Sequence, residues 1–264
     1  MSVAQRTSPP EVWDRVVCGI DFTPASVQAA LLTAQLMPAA AQLTLCTVAS
    51  RDAIEAGVLL DETLARDAKH GLDEIQRQVQ AFHDNELHLR EGPPIRRLLD
   101  ELSAERATLV AVGSHWHSRA AGIVLGSVAT AMLHEAPCSV LIAHPTARTD
   151  IPGDGELVVG YDGSGGARRT LEVGRQLAER LSLKLRVIVA AGDADHPPAP
   201  GWRDELGSVE VTEDPCTAVE ALVDASHDAA LLIVGSRHLR GVPALSSVSE
   251  RVAHQAHSPV LVVH

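Results

Sequence analysis

Short apolar runs recur along the chain, separated by longer stretches of helical pattern or by turn residues. Arg15–Ile20, Leu43–Val48, Glu86–Leu89, Leu109–Val112 and Val140–Ala143 read as five strands. Between the first two runs, Asp21-Phe-Thr-Pro24 is a helix entry: Thr23 can cap and Pro24 suits the first helical position. The helix it opens extends to about Met37, with Ala30, Leu31 and Ala34 as its buried stripe. A helical pattern with charged faces occupies 52–83, and Gly92-Pro-Pro turns into a helix around Ile95–Leu102. Ser127–His134 begins another.

The order then repeats. Leu157–Tyr161, Leu185–Val189, Ser208–Val211, Leu231–Val234 and Val260–Val263 read as strands, and Ala167–Leu181 as the first helix of the second copy. Arg15-Val-Val-Cys-Gly-Ile-Asp21 has its counterpart in Glu156-Leu-Val-Val-Gly-Tyr-Asp162. Thr108-Leu-Val-Ala-Val-Gly113-Ser-His has its counterpart in Ala230-Leu-Leu-Ile-Val-Gly235-Ser-Arg. Each copy closes on an apolar run ending in histidine, at His144 and at His264. The Asp-to-Gly interval is 92 residues in the first copy (21 to 113) and 73 in the second (162 to 235). The shortfall falls where a helix precedes strand three, and Gly192–Gly201 carries three closely spaced prolines, which a helix does not tolerate.

Alternating strands and helices predict an α/β protein of two tandem, doubly wound parallel-sheet domains, five strands each, the second lacking one helix. The Pro-, Gly-, Asp- and Thr-rich stretch 145–155 separates the copies. The chain divides into a lead-in (1–13), a first domain (14–146), a linker (147–155) and a second domain (156–264), in keeping with 264 residues and domains of about 100–150 residues. Ligands of such sheets bind beyond the carboxyl ends of the strands, where strand order reverses. If strands one and four are neighbours there, Asp21 and Gly113 flank one crevice, and Asp162 and Gly235 another.

Composition narrows the picture. Hydrophobic residues make up 45% of the chain but aromatics only 2%, so Ala, Val and Leu build the core. A formal net charge of -12 speaks against nucleic acid or an anionic membrane as partner. Cys18, Cys46, Cys138 and Cys216 form no C-x-x-C pair; the first three lie in or beside apolar strands and read as buried, reduced thiols. No run approaches the ~18 apolar residues of a spanning helix, and the N-terminus lacks an apolar leader, so the expectation is a soluble cytoplasmic protein. His115 and His117 form an H-x-H without acidic or cysteine partners at telling spacing, so no metal site is expected. Neither a G-x-x-x-x-G-K-(S/T) loop nor a nucleophile elbow is present, and no catalytic residue is assigned.

The segment from Gly113-Ser-His-Trp116 to Gly126-Ser127-Val128 resembles the G-x2-G-x9-G-(S/T) signature of the universal stress protein family. The first strand ending in Asp, and Leu133-His-Glu-Ala-Pro-Cys-Ser-Val-Leu-Ile, resemble further family marks. The likeness covers nearly the whole chain, twice, which implies the tandem form, a pseudo-dimer within one chain whose last strands pair edge to edge. It leaves open whether two chains associate further as a homodimer.

What the resemblance implies is a stress-response regulatory protein with a protein partner and an ATP or related adenine-nucleotide site in the first copy. Asp21 and Val48 would lie at the adenine end. Val112, Gly113 and His115 would line the ribose and phosphate path, and Gly126, Ser127 and Val128 would hold phosphate. Glycine lets amides approach an anion closely, and a helix start offers free N–H groups. Trp116 stands in place of the second signature glycine. In the second copy His238 does so, the loop is two residues shorter, and Ser246-Ser247-Val248 replaces Gly-Ser-Val. Asp162, Gly235 and Ser247 therefore mark a degenerate second site. Two alternatives stand beside this reading: a family member that acts as a scaffold without nucleotide, and a slow ATP hydrolase in which His115 positions water.

Overall fold

The computed structural model describes residues 13–49, 71, 73–114, 125–144, 151, 153, 155–192, 198–236 and 248–264. The first repeat runs β1 (Arg15–Ile20), α1 (Pro24–Leu36), β2 (Gln42–Ala49), a helical segment at 73–80, β3 (Asn85–Glu91), α2 (Pro94–Glu105), β4 (Leu109–Gly113), α3 (Ser127–Glu135) and β5 (Ser139–Ala143). The second runs β6 (Glu156–Gly160), α4 (Gly165–Leu181), β7 (Lys184–Ala190), α5 (Trp202–Leu206), β8 (Glu210–Asp214), α6 (Ala218–Ala225), β9 (Leu231–Gly235), α7 (Val248–Gln255) and β10 (Val260–Val263). In the shortened interval of the second repeat the described residues hold one five-residue helix, α5. Gly207, at φ 61°, ends it, and β8 begins two residues beyond the expected start of strand three.

The ten strands of the described residues form one sheet in the order β3-β2-β1-β4-β5-β10-β9-β6-β7-β8. Pairing is parallel within each repeat and antiparallel only where β5 meets β10, with Leu141 opposite Leu261. The edge-to-edge pairing of last strands is thus made between the two halves of a single chain. It removes two exposed edges, which would otherwise be templates for aggregation.

Strand periodicity divides the core into two layers. Val16, Cys18, Ile20, Leu109 and Ala111 face α1, the 73–80 helix and their second-repeat counterparts α4 and α5. Val17, Val110, Val112 and Val140 face α2, α3, α6 and α7. Helices on both faces explain why β4 and β9 are apolar throughout rather than alternating. Ala30, Leu31 and Ala34 of α1 are buried, as the apolar stripe predicts. Among the described residues no helix is long and apolar enough to cross a membrane.

Candidate functional site

In each repeat the first and fourth strands are neighbours. Val16, Val17 and Cys18 pair with Leu109, Val110 and Ala111; Leu157, Val158 and Val159 pair with Leu231, Leu232 and Ile233. Carried two residues further, this register sets Ile20 level with Gly113 and Tyr161 level with Gly235. Asp21 and Asp162 therefore leave the sheet beside the Gly-Ser ends of their partner strands. Strand order reverses at these points, because β1 continues to β2 on one side and meets β4 on the other.

Both aspartates brace the turn into the following helix. Asp21 Oδ1 accepts from the Thr23 amide at 3.0 Å and from its hydroxyl at 2.6 Å, and Thr23 Oγ1 caps α1 by accepting from the Ser26 amide at 3.3 Å. Asp162 Oδ1 accepts from the Ser164 amide at 2.9 Å, and Ser164 Oγ caps α4 by accepting from the Ala167 amide at 3.2 Å. The residue between Asp and cap is left-handed in both repeats: Phe22 at φ 63° and Gly163 at φ 74°. Only the second repeat carries glycine there, and it must, since a Cβ on Gly163 would lie 2.9 Å from Ala199 Cβ. The Ala199 amide donates to the Asp162 carbonyl at 2.8 Å, so 198–202 straps the mouth of the second crevice.

Val48, Val112 and Val128 all belong to the α2–α3 layer. Val112 is buried; Val48 and Val128 are partly exposed. Thr47 ties β2 to β1 by donating to the Ile20 carbonyl at 2.8 Å, which holds Val48 near the strand ends. Gly126 is the N-cap of α3 with extended backbone and no side-chain cap, and Ser127, exposed, opens the helix. The amides of the first turn are thus not capped by the Gly126 side of the helix start, where a helix favours an anion. The structure brings Asp21, Val48, Val112, Gly113, Gly126, Ser127 and Val128 to the carboxyl side of the first repeat's sheet, and Asp162 and Gly235 to that of the second. His115 and Ser247 lie outside the described residues, as do Trp116 and His238.

Two side-chain groupings join residues that the sequence reading left apart. Ser114, directly after Gly113, places Oγ 2.9 Å from His144 Nδ1, with both residues buried. The terminal histidines of the repeats were a visible signal, but their partners were not. The second grouping is His88, Glu101 and Glu105, whose ligand-type atoms lie within 4.8 Å of one another. Arg90 donates to both Glu101 oxygens at 2.6 and 3.0 Å, and His88 Nδ1 lies 2.5 Å from Oε1. A guanidinium already bonds the carboxylate a cation would need, so this is an ion-pair network around the buried Glu101, with Arg90 itself partly exposed. Burial alone would raise the Glu101 carboxyl; the bonds from Arg90 and His88 outweigh it and hold the group below its ordinary range.

The cysteines are free: Cys18, Cys46 and Cys138 are buried and Cys216 is exposed. Burial pushes Cys46 and Cys138 up to about 12, which keeps them as thiols.

This doubled arrangement, a parallel sheet with paired strand-Asp and strand-Gly-Ser ends, defines a tandem protein of the doubly wound α/β class. The model of the universal stress protein family matches residues 13–144 and 203–264, and the chain belongs to that family. It is 28% identical to a universal stress protein of Mycobacterium tuberculosis over 230 residues, covering 74% of this chain and 75% of the relative. A universal stress protein of Mycolicibacterium smegmatis is 26% identical over 234 residues, 76% of this chain and 78% of that one. The crystal structure of a universal stress protein from Archaeoglobus fulgidus superposes with a TM-score of 0.74 at 21% identity, covering 95% of this chain and 98% of that chain, which shows the shared fold.

Proposed function

We propose that the chain is a stress-response regulatory module that binds an adenine nucleotide, ATP, in its first repeat and presents a protein-binding surface in response. The repeats 14–146 and 156–264, joined by 147–155, act as a pseudo-dimer in the cytoplasm. Asp21 and Val48 hold the adenine end, Val112, Gly113 and His115 the ribose and phosphate path, and Gly126, Ser127 and Val128 the phosphates. The observation that carries the reading is the convergence of Asp21 with Gly113 beside an α3 start whose N-cap, Gly126, has no side chain to cap it.

A helix start contributes about 0.3–1 kcal/mol to holding an anion, up to about 2 kcal/mol when partly buried. Useful affinity therefore needs several amides of the β4–α3 loop acting together, with Gly113 and Gly126 at its roots. The second crevice is a poor site on this reading, since the Ala199 strap closes on Asp162. Calorimetric titration of the purified chain with millimolar MgATP tests the proposal. Saturable binding at one site per chain, lost on Ser127→Ala with Gly126→Val, is expected. No binding would leave the scaffold reading in its place.

A further inference from the structure

We infer that the Ser114–His144 pair is a latch that positions the root of the nucleotide-binding loop by fixing the end of β4 to the end of β5. The inference rests on the nucleotide reading above for what the loop holds. Ser114 is the first residue after β4 and the last before the loop that leads to Gly126. It is pinned twice to the end of β5: its amide donates to the Ala143 carbonyl at 2.8 Å, and its hydroxyl meets His144 Nδ1 at 2.9 Å. Ser114 is 1% exposed and His144 0%, so no water competes for this bond. A buried hydroxyl–imidazole bond holds a direction as well as a distance, and here it fixes Ser114 at the end of β4.

His144 also lies at the seam where β5 of the first repeat meets β10 of the second. The antiparallel register of β5 and β10 pairs Ile142 with Val260, which sets His144 level with Ser258. Neighbouring His257 stands close enough for a charge on it to oppose one on His144, and stacks on His227 with centroids 3.8 Å apart. The His257 amide is held in turn by Ser226 Oγ at 2.9 Å. His144 Nε2 is buried and has no hydrogen-bond partner among the described residues. The second repeat has the corresponding backbone bond. Ser236 donates its amide to the Val263 carbonyl at 2.8 Å, and the His264 amide donates to Ser139 Oγ, across the seam, at 3.3 Å.

Ser114 and His144 are positioning residues on this account and touch no ligand. The test is MgATP titration of four chains, each checked for fold by circular dichroism: wild type, Ser114→Ala, His144→Leu and His144→Asn. Asparagine keeps a polar atom near the Nδ1 position, and leucine does not. About tenfold weaker binding is expected for Ser114→Ala and His144→Leu, with His144→Asn within about threefold of wild type. The His144 ring nitrogen signals of the labelled wild-type protein should move at saturating MgATP although the ring is buried away from solvent. Wild-type affinity in Ser114→Ala, equal losses in the leucine and asparagine variants, or unmoved ring signals would overturn the latch alone. Absence of binding by the wild type would remove the nucleotide reading and the latch with it.

Discussion

Gly113 and Ala25 are in contact at the heart of the first crevice: a Cβ on Gly113 would lie 2.9 Å from Ala25 Cβ, 2.6 Å from its carbonyl carbon and 2.5 Å from the Ser26 amide nitrogen. The end of β4 therefore presses on the first turn of α1, and only glycine permits it. In the second repeat Gly235 meets Gly166, with backbone atoms no nearer than 3.4 Å and the Thr170 hydroxyl at 2.9 Å. Gly113→Ala must displace backbone and is expected to cost about 3 kcal/mol, whereas Gly235→Ala displaces one hydroxyl and costs about 1 kcal/mol. Urea denaturation of the two variants checks the order; equal costs would refute the close packing at Gly113.

The left-handed positions at the two strand ends give an opposed pair of predictions. Phe22 adopts φ 63° with 42% of its surface exposed, a conformation that costs a side-chain-bearing residue about 1–2 kcal/mol. Phe22→Gly should relieve it and, after the extra backbone entropy of glycine in the unfolded chain, raise stability by about 0.5–1 kcal/mol. Gly163→Ala incurs the conformational cost and the clash with Ala199, and should lower stability by about 2 kcal/mol. Thermal melts of both variants decide the signs.

Burial holds His144 down to about 4, with His257 adding to the effect, so the folded ring is neutral while an unfolded one has its ordinary value near 6.5. The unfolded chain then binds the extra proton between those values, and stability rises with pH across that window. The contribution is complete above about pH 6.5 and is lost as pH falls toward 4, amounting to about 3 kcal/mol. Urea midpoints at pH 7, 6 and 5 should fall more steeply for wild type than for His144→Asn. Parallel curves would count against a neutral, buried ring.

Glu101 is 3% exposed and depends on Arg90 and His88 for its charge. Arg90→Ala strands that carboxylate and is expected to cost about 3 kcal/mol, more than Glu101→Gln at about 1–2 kcal/mol. Because burial without Arg90 raises the carboxyl, the loss in Arg90→Ala should shrink as pH falls toward and below the ordinary value near 4.5, the unpaired group taking a proton that the paired one refuses. Denaturant midpoints of the two variants at pH 7 and pH 4 measure both effects.

The helix entries were legible because their chemistry is local. Asp21, Thr23 and Pro24 lie within four positions, as do Asp162 and Ser164, and their bonds form as soon as the turn does. The apolar runs were legible because a strand covered on both faces has no polar side to confuse the pattern. Strand three of the second repeat was read two residues early, since Ser208 and Val209 precede β8 and differ little from it in composition.

The sequence by itself determined a twice-written strand–helix alternation, its entry turns, and the placing of Asp and Gly-Ser at strand ends, because each follows from residues close together in the chain. Tertiary structure alone decided the register by which Leu141 meets Leu261 and turns two five-stranded halves into one sheet. It also brought Ser114 to His144, and Arg90 to Glu101. Those contacts join residues on different elements, and they exist only because strand pairing and the packing of helices on both faces of the sheet bring those elements together.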